Sequence, residues 1–290
     1  MPAAGATVTR PMRAWKRLRT SSSGETDVTL CLEYVTETEA SSIARALVGT
    51  GDLSDGSVAF LTRGGAPDGR YARLRGRRTM ALGGTVHEKV TVPVDDFPPC
   101  VRDVLEAVSR DATRALSSSS SRDAPDEEDA EKRSATTTTT RPLRLNHALV
   151  NVYERTDGIM AHEDGPLYRD CAAILSLGAS RAMQFEPKRS SDDQDARTDA
   201  AASSTAASSF EVFLPHRSLL VFTGDAYRAY LHSIASGVDC DVKSLGSLNP
   251  EDWPDHADVA PRIGRRVSLT MRQVLNVARS LSFLTTGRGR

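Results

Sequence analysis

Eight short runs in the second half of the chain limit the fold more than any other feature. They cover 147–153, 158–162, 172–177, 182–186, 210–214, 218–222, 231–235 and 266–274. Their alternating pattern, with a period of two, puts successive side chains on opposite faces of an extended strand. Asp157-Gly158, Gly165-Pro166, Gly178, Pro187, Pro215 and Gly224 separate the runs with residues that turn the chain. Many short strands punctuated in this way predict a β-sandwich or barrel.

Upstream, VTLCLEY at 28–34 predicts a strand. Thr36 and Glu39 make a capping-box pair, and Ala40, Ile43, Ala44 and Leu47 follow at helical spacing. Pro98-Pro99 opens a second helix to about Leu116, with Val101, Val104, Leu105, Val108 and Ala112 in one stripe. The expected class is therefore mainly β with flanking helices, an α+β arrangement.

Two polar tracts divide the chain. Positions 117–141 read SSSSSRDAPDEEDAEKRSATTTTTR, with six acids crowded into 123–131. Such a segment cannot bury enough apolar surface to order itself. A second tract at 187–209 reads as a surface-loop expansion, which costs little because closure entropy grows slowly with loop length. The expected organisation has four parts. Residues 1–26 are a disordered basic arm, 27–116 a helical and lid region packing on the core, and 117–142 a linker. Residues 143–290 form the β domain, with a disordered insertion at 187–209.

Net charge is −1, so no global field recruits nucleic acid or a membrane. The charge is uneven, however: 69–78 holds five Arg and no acid, and 257–290 holds seven Arg against one acid, Asp258. Such patches can bind phosphate, or they can simply keep a surface soluble. Cys31, Cys100, Cys171 and Cys240 stand far apart with no CxxC, which predicts reduced thiols in an intracellular protein. No apolar run approaches the length of a membrane span. Residues 1–24 hold five basic residues, and the first acid is Glu25. That composition suits a disordered arm or an organelle transit peptide. Cytoplasm and nucleus are the expected location, or an organelle if 1–24 is a transit peptide, and a monomer is expected.

The chemistry centres on His162 and Asp164. Two residues apart on a strand, they project to one side. An imidazole beside a carboxylate is two thirds of a 2-His-1-carboxylate facial triad, the ligand set of non-haem Fe(II) oxygenases. His232 is the candidate third ligand. An HxD pair early and a histidine late suit a double-stranded β-helix, the jelly roll. Each histidine taken alone also fits an ordinary core or surface role. On the last strand, Arg266, Ser268, Thr270 and Arg272 share one face, and Val267, Leu269 and Met271 the other. That polar face is either a solvated edge or the wall of an anion pocket, where arginine grips carboxylates bidentately. Asn151 and Tyr153, also two apart, can donate hydrogen bonds to the same ligand.

Together, Asn151-Val152-Tyr153, His162-Glu163-Asp164, Ser176 to Gly178, His232 and Arg266-x-Ser268-x-Thr270-x-Arg272 resemble the AlkB-like Fe(II)/2-oxoglutarate dioxygenases. The run LNHALVNVY…GIMAHEDGPLY…LSLG is similar to the subgroup of the sixth AlkB homologue. The resemblance covers about 140–186, 210–235 and 262–274, and GRRTMALGG at 76–84 looks like that subgroup's lid segment. It implies that His162, Asp164 and His232 bind Fe(II). Arg266 would pair with the distal carboxylate of 2-oxoglutarate and Arg272 would lie near its keto-acid end, while Asn151 and Tyr153 hydrogen-bond it. Ser268 stands where many relatives carry Asn, and Leu82 where close relatives carry an aromatic lid residue. The implied reaction consumes O2 and 2-oxoglutarate, gives succinate and carbon dioxide, and hydroxylates a C–H bond. An N-methyl group so oxidised breaks down to formaldehyde. A methylated base in DNA or RNA, a protein side chain or a small molecule would be the substrate. Catalytic silence with nucleic-acid binding is a further alternative. Arg75, Arg77 and Arg78 are the candidate phosphate-binding residues.

Overall fold

A computed structural model describes residues 14–20, 24–54, 71–86, 91–94, 96–117, 142–188, 208–244, 246–254 and 257–277. Nearly all of the expected linker and insertion, and the first half of the N-terminal arm, lie outside the described residues.

The strands before the second helix are β1 (Lys16–Thr20), β2 (Gly24–Cys31), β3 (Ala72–Leu74), β4 (Arg77–Leu82), β5 (Thr85–Val86) and β6 (Thr91–Val92). Helix α1 is Glu37–Val48, α2 is Pro99–Ser117 and α3 is Gly224–Arg228. Downstream follow β7 (His147–Tyr153), β8 (Ile159–His162), β9 (Tyr168–Gly178), β10 (Arg181–Pro187), β11 (Phe210–Leu214) and β12 (Leu219–Thr223). The chain continues through β13 (Tyr230–Ile234), β14 (Cys240–Val242), β15 (Val259–Pro261) and β16 (Arg266–Val274). All eight runs form strands. The major antiparallel sheet has the order β1-β2-β12-β9-β16-β7-β4-β3, and the minor sheet β11-β10-β13-β8. Two such sheets with helices on one side make the mainly β jelly-roll core.

The N-terminal region departs from expectation. Besides helices that pack on the core, it contributes β1 to β4 to the major sheet itself. The arm expected to be disordered through residue 26 is strand at 16–20 and from 24 onward. KRLRT carries no apolar alternation, but Leu18 pairs with Val28 and is buried. Cross-strand pairing overrides a weak local preference. Charged residues on this edge strand also discourage pairing with another chain.

The helices form where the caps dictate. Thr36 N donates to Glu39 Oε2 (2.9 Å) and Glu39 N to Thr36 Oγ1 (3.2 Å), closing the capping box. Ile43, Leu47, Val104 and Val108 then pack on Val150, Val152, Leu175, Leu177, Val267 and Leu269, the outer face of the major sheet. A second apolar core fills the space between the sheets. At its centre Phe185 stacks on Phe210 (4.7 Å between centroids) and meets Phe222 edge-on (5.4 Å). Each fully buried side chain of this size contributes roughly 1.5–3 kcal/mol.

The strand β16 lies between β9 and β7. Val267, Leu269 and Met271 face the helices, and Arg266, Ser268, Thr270 and Arg272 are buried on the concave side. A central buried strand cannot be a solvated edge, so that reading of its polar face is excluded. At the end of β9, Gly178 has φ 79, and a Cβ there would lie 2.1 Å from the Arg265 carbonyl oxygen. Gly178→Ala is expected to cost about 1–3 kcal/mol, read as a lower midpoint of chemical denaturation. An unchanged midpoint would contradict this geometry.

Candidate metal centre

Register places the inward residues of the major sheet in rows. Tyr153, Arg266 and Gly178 form the first, and Thr79, Asn151, Ser268 and Ser176 the second. Ala81, Leu149, Thr270 and Ile174 form the third, and His147, Arg272 and Ala172 the fourth. The minor sheet closes over this face. There β13 pairs with β8 so that His232 stands opposite His162, with ring centroids 4.2 Å apart. Asp164 follows two residues on. One ligand atom from each of His162, Asp164 and His232 lies within 4.8 Å of the other two. The three residues singled out in the sequence do converge.

Packing and hydrogen bonds aim these groups. Phe222 meets the His232 ring edge-on at 5.3 Å, so the inter-sheet core also holds the imidazole. His162 Nδ1 lies 2.9 Å from the Met160 carbonyl oxygen. A carbonyl only accepts, so Nδ1 carries the proton and Nε2 keeps a lone pair for a metal. Burial lowers both pKa values, that of His232 to about 4, against the pull of the Asp164 carboxylate. Both rings are thus neutral at pH 7, the form that ligates. Arg272 Nε donates to Asp164 Oδ2 (2.9 Å), and its Nη2 donates to Oδ1. Two neutral imidazoles and a held carboxylate fit a divalent ion with open positions.

Arg266 occupies the far row. Its side chain is 0% exposed, and Nη2 donates to Ser176 Oγ (3.0 Å). Its Nε and Nη1 lack a well-formed hydrogen bond among the described residues, although the Tyr153 hydroxyl interacts with the guanidinium. Its guanidinium carbon lies 5.2 Å from the centre of the Tyr153 ring. Burial lowers its pKa. Leaving charged donors buried and incompletely bonded is costly, and a carboxylate would satisfy them. Nearby, Arg262 grips Asp241 bidentately (3.1 and 2.6 Å), in a buried charge network that also includes Arg181. A metal triad at one place and incompletely bonded arginine donors at another suit a keto diacid, so the residues present fit both Fe(II) and 2-oxoglutarate.

Arg75, Arg77 and Arg78 do not form one patch. Arg77 Nε donates to Asn151 Oδ1 (3.0 Å), which draws it into the chamber. Arg78 pairs with Val152 in register and shares the opposite face with Met80 and Leu82, which pack on the helices. Arg75 is exposed on the β3–β4 turn beside Arg73. A strand separates neighbours by face, which explains the division. Leu82 is fully buried on the helix side and offers no stacking surface. His147, Thr79 and Tyr168 also line this face, and none of them stood out in the sequence. Counting in twos from Tyr153 and Asn151 toward the N-terminus reaches Leu149 and His147, and that parity was the available signal.

The family model of the 2OG-Fe(II) oxygenase superfamily matches residues 28–272. A Danio rerio protein named "Probable RNA/DNA demethylase ALKBH6" is 29% identical over 220 residues, covering 76% of this chain and 80% of that one. A solved structure titled "The structure of OsALKBH1" aligns with a TM-score of 0.48 at 18% identity, covering 90% of this chain and 100% of that chain. The His–Asp–His cluster thus lies within a matched span that takes in nearly all of the fold, and the chain belongs to the 2OG-Fe(II) oxygenase superfamily as an AlkB-like, 2-oxoglutarate-dependent dioxygenase.

Proposed function

We propose that this enzyme oxidatively demethylates a methylated base in nucleic acid. The observation that carries the chemistry is one space between the two sheets, with the His162–Asp164–His232 cluster at the minor sheet and the Arg266 donors facing in from the major sheet. The nucleic-acid substrate is supported by the name of the zebrafish relative, and Arg75, exposed on the β3–β4 turn, would add a phosphate contact.

His162, Asp164 and His232 would hold Fe(II). Arg266, with Ser176 fixing one arm of its guanidinium, would bind the distal carboxylate of 2-oxoglutarate. Tyr153 and Asn151 would hydrogen-bond the same molecule, Asn151 being oriented by Arg77. Arg272 holds Asp164 in place and would lie near the keto-acid end. Bound there, iron, dioxygen and 2-oxoglutarate supply the oxidation of a substrate C–H bond, with 2-oxoglutarate leaving as succinate and carbon dioxide. Arg266, Ser268, Ser176, Asn151 and His232 are buried, which limits water at these groups. On an N-methyl carbon the hydroxylated product releases formaldehyde.

The test is aerobic succinate and formaldehyde production on a panel of methylated oligonucleotides. Arg75→Glu is expected to weaken oligonucleotide binding and to lower the salt slope by about one, for the phosphate no longer neutralised. Formaldehyde release from a methylated peptide, but from no oligonucleotide, would overturn the substrate assignment.

A further inference from the structure

Among the described residues, several buried polar atoms without a well-formed hydrogen bond lie on the inward rows: Thr79 Oγ1, Arg266 Nε and Nη1, and both ring nitrogens of His147; Arg181, Glu211, Arg217 and Tyr227 carry others elsewhere. The Arg266 donors await a carboxylate. The His147 nitrogens need another explanation, since six residues of strand, about 20 Å, separate the Arg272 row from the Arg266 row. An arginine side chain is long enough to lean toward a five-carbon diacid held by Arg266, and the short His147 imidazole is not.

His147 is 2% exposed and stands opposite Arg272 in register. The Arg272 guanidinium carbon lies 4.9 Å from the centre of the Tyr168 ring, and the same guanidinium binds Asp164. The His147 and Tyr168 rings are 5.7 Å apart, centre to centre. His147 is therefore one side chain removed from a candidate metal ligand, with an aromatic face beside it. Leu149 and Ala81 occupy the adjoining row. Burial, and then Arg272, lower the His147 pKa to about 4, with Asp96 the acid opposing them. The ring is neutral at pH 7 and offers one donor and one acceptor. A phosphate offers only acceptors and would leave the imidazole acceptor unmatched. Both imidazole nitrogens match the polar edge of a planar heterocycle, the group that must leave its stack to reach such a site.

We propose that His147 reads the substrate base, hydrogen-bonding its polar edge while Tyr168 lies beside the ring. This rests on the nucleic-acid reading above and names the residue that discriminates. The test compares the affinity of the metal-loaded, 2-oxoglutarate-bound protein for single-stranded oligonucleotides of one sequence. One set is unmodified, and the other carries a single N-methylated adenine or cytosine. His147→Phe keeps a ring and removes both hydrogen-bonding atoms, whereas His147→Gln keeps a donor and an acceptor. His147→Phe is expected to lower the preference for the methylated strand about tenfold, with unmodified-strand affinity unchanged. His147→Gln is expected to hold that preference within about threefold. Addition of the methylated strand should also shift the His147 imidazole nitrogen resonances. An unaltered preference in His147→Phe, or an equal loss on both strands, overturns the inference while the demethylase reading stands. A wild-type protein that binds and oxidises no methylated oligonucleotide overturns both.

Discussion

Arg266→Met should destroy 2-oxoglutarate binding without harming the fold. Under the proposed assignment, the guanidinium is the cation that meets the distal carboxylate in a fully buried site. Removing one partner of a desolvated charge pair costs about 3 kcal/mol or more, over a hundredfold in affinity. The sign for stability is the opposite. Without ligand, Arg266 keeps Nε and Nη1 buried and without a well-formed hydrogen bond. Replacing a buried charge by an apolar side chain of similar length is often neutral or stabilising. The variant should therefore match or exceed the wild-type thermal midpoint without 2-oxoglutarate, and it should lose the upward shift that 2-oxoglutarate gives the wild type. Titration calorimetry and melting curves read both effects. Binding within threefold of wild type would show that the diacid sits elsewhere.

His232→Ala should lower Fe(II)-dependent succinate formation on the order of 10³-fold, the scale of the several kcal/mol a metal supplies. Only two of the three ligand groups would remain. The loss should appear without any nucleic acid present, because uncoupled turnover needs only the metal and 2-oxoglutarate. Asp164→Asn should behave alike in turnover and differ in stability. Arg272 pairs with Asp164 while 6% exposed, so the variant leaves a buried guanidinium without its counter-charge. Truncating one partner of such a pair costs about 3–5 kcal/mol. Turnover near wild type in His232→Ala would remove that residue from the ligand set.

Much of this was legible because β-structure writes itself with a period of two. The eight runs gave eight strands, and the HxD spacing put His162 and Asp164 together. The polar parity of Arg266 to Arg272 pointed to a pocket wall, although the sequence alone left a solvated edge open. Only the pairing of β16 with both β9 and β7 decided it. Other features were hidden for physical reasons. In β1, β3 and β4 charged residues stand where apolar ones would mark a strand; β1 and β3 are set by the neighbouring strands β2 and β4, and β4 by β7 far along the chain. Arg77 and Arg78 look equivalent as neighbours, yet one residue of parity sends them to opposite faces. His147 is an ordinary letter in an apolar run until its neighbours are known, because an unsatisfied nitrogen is a property of the packed state.

The central claim is that His162, Asp164 and His232 hold one divalent ion. Direct titration of the metal-free protein with Mn(II), a redox-quiet stand-in for Fe(II), tests it. One equivalent should bind the wild type, and His162→Ala and His232→Ala should each weaken binding by at least about a hundredfold. Unchanged stoichiometry and affinity in either variant would contradict the account.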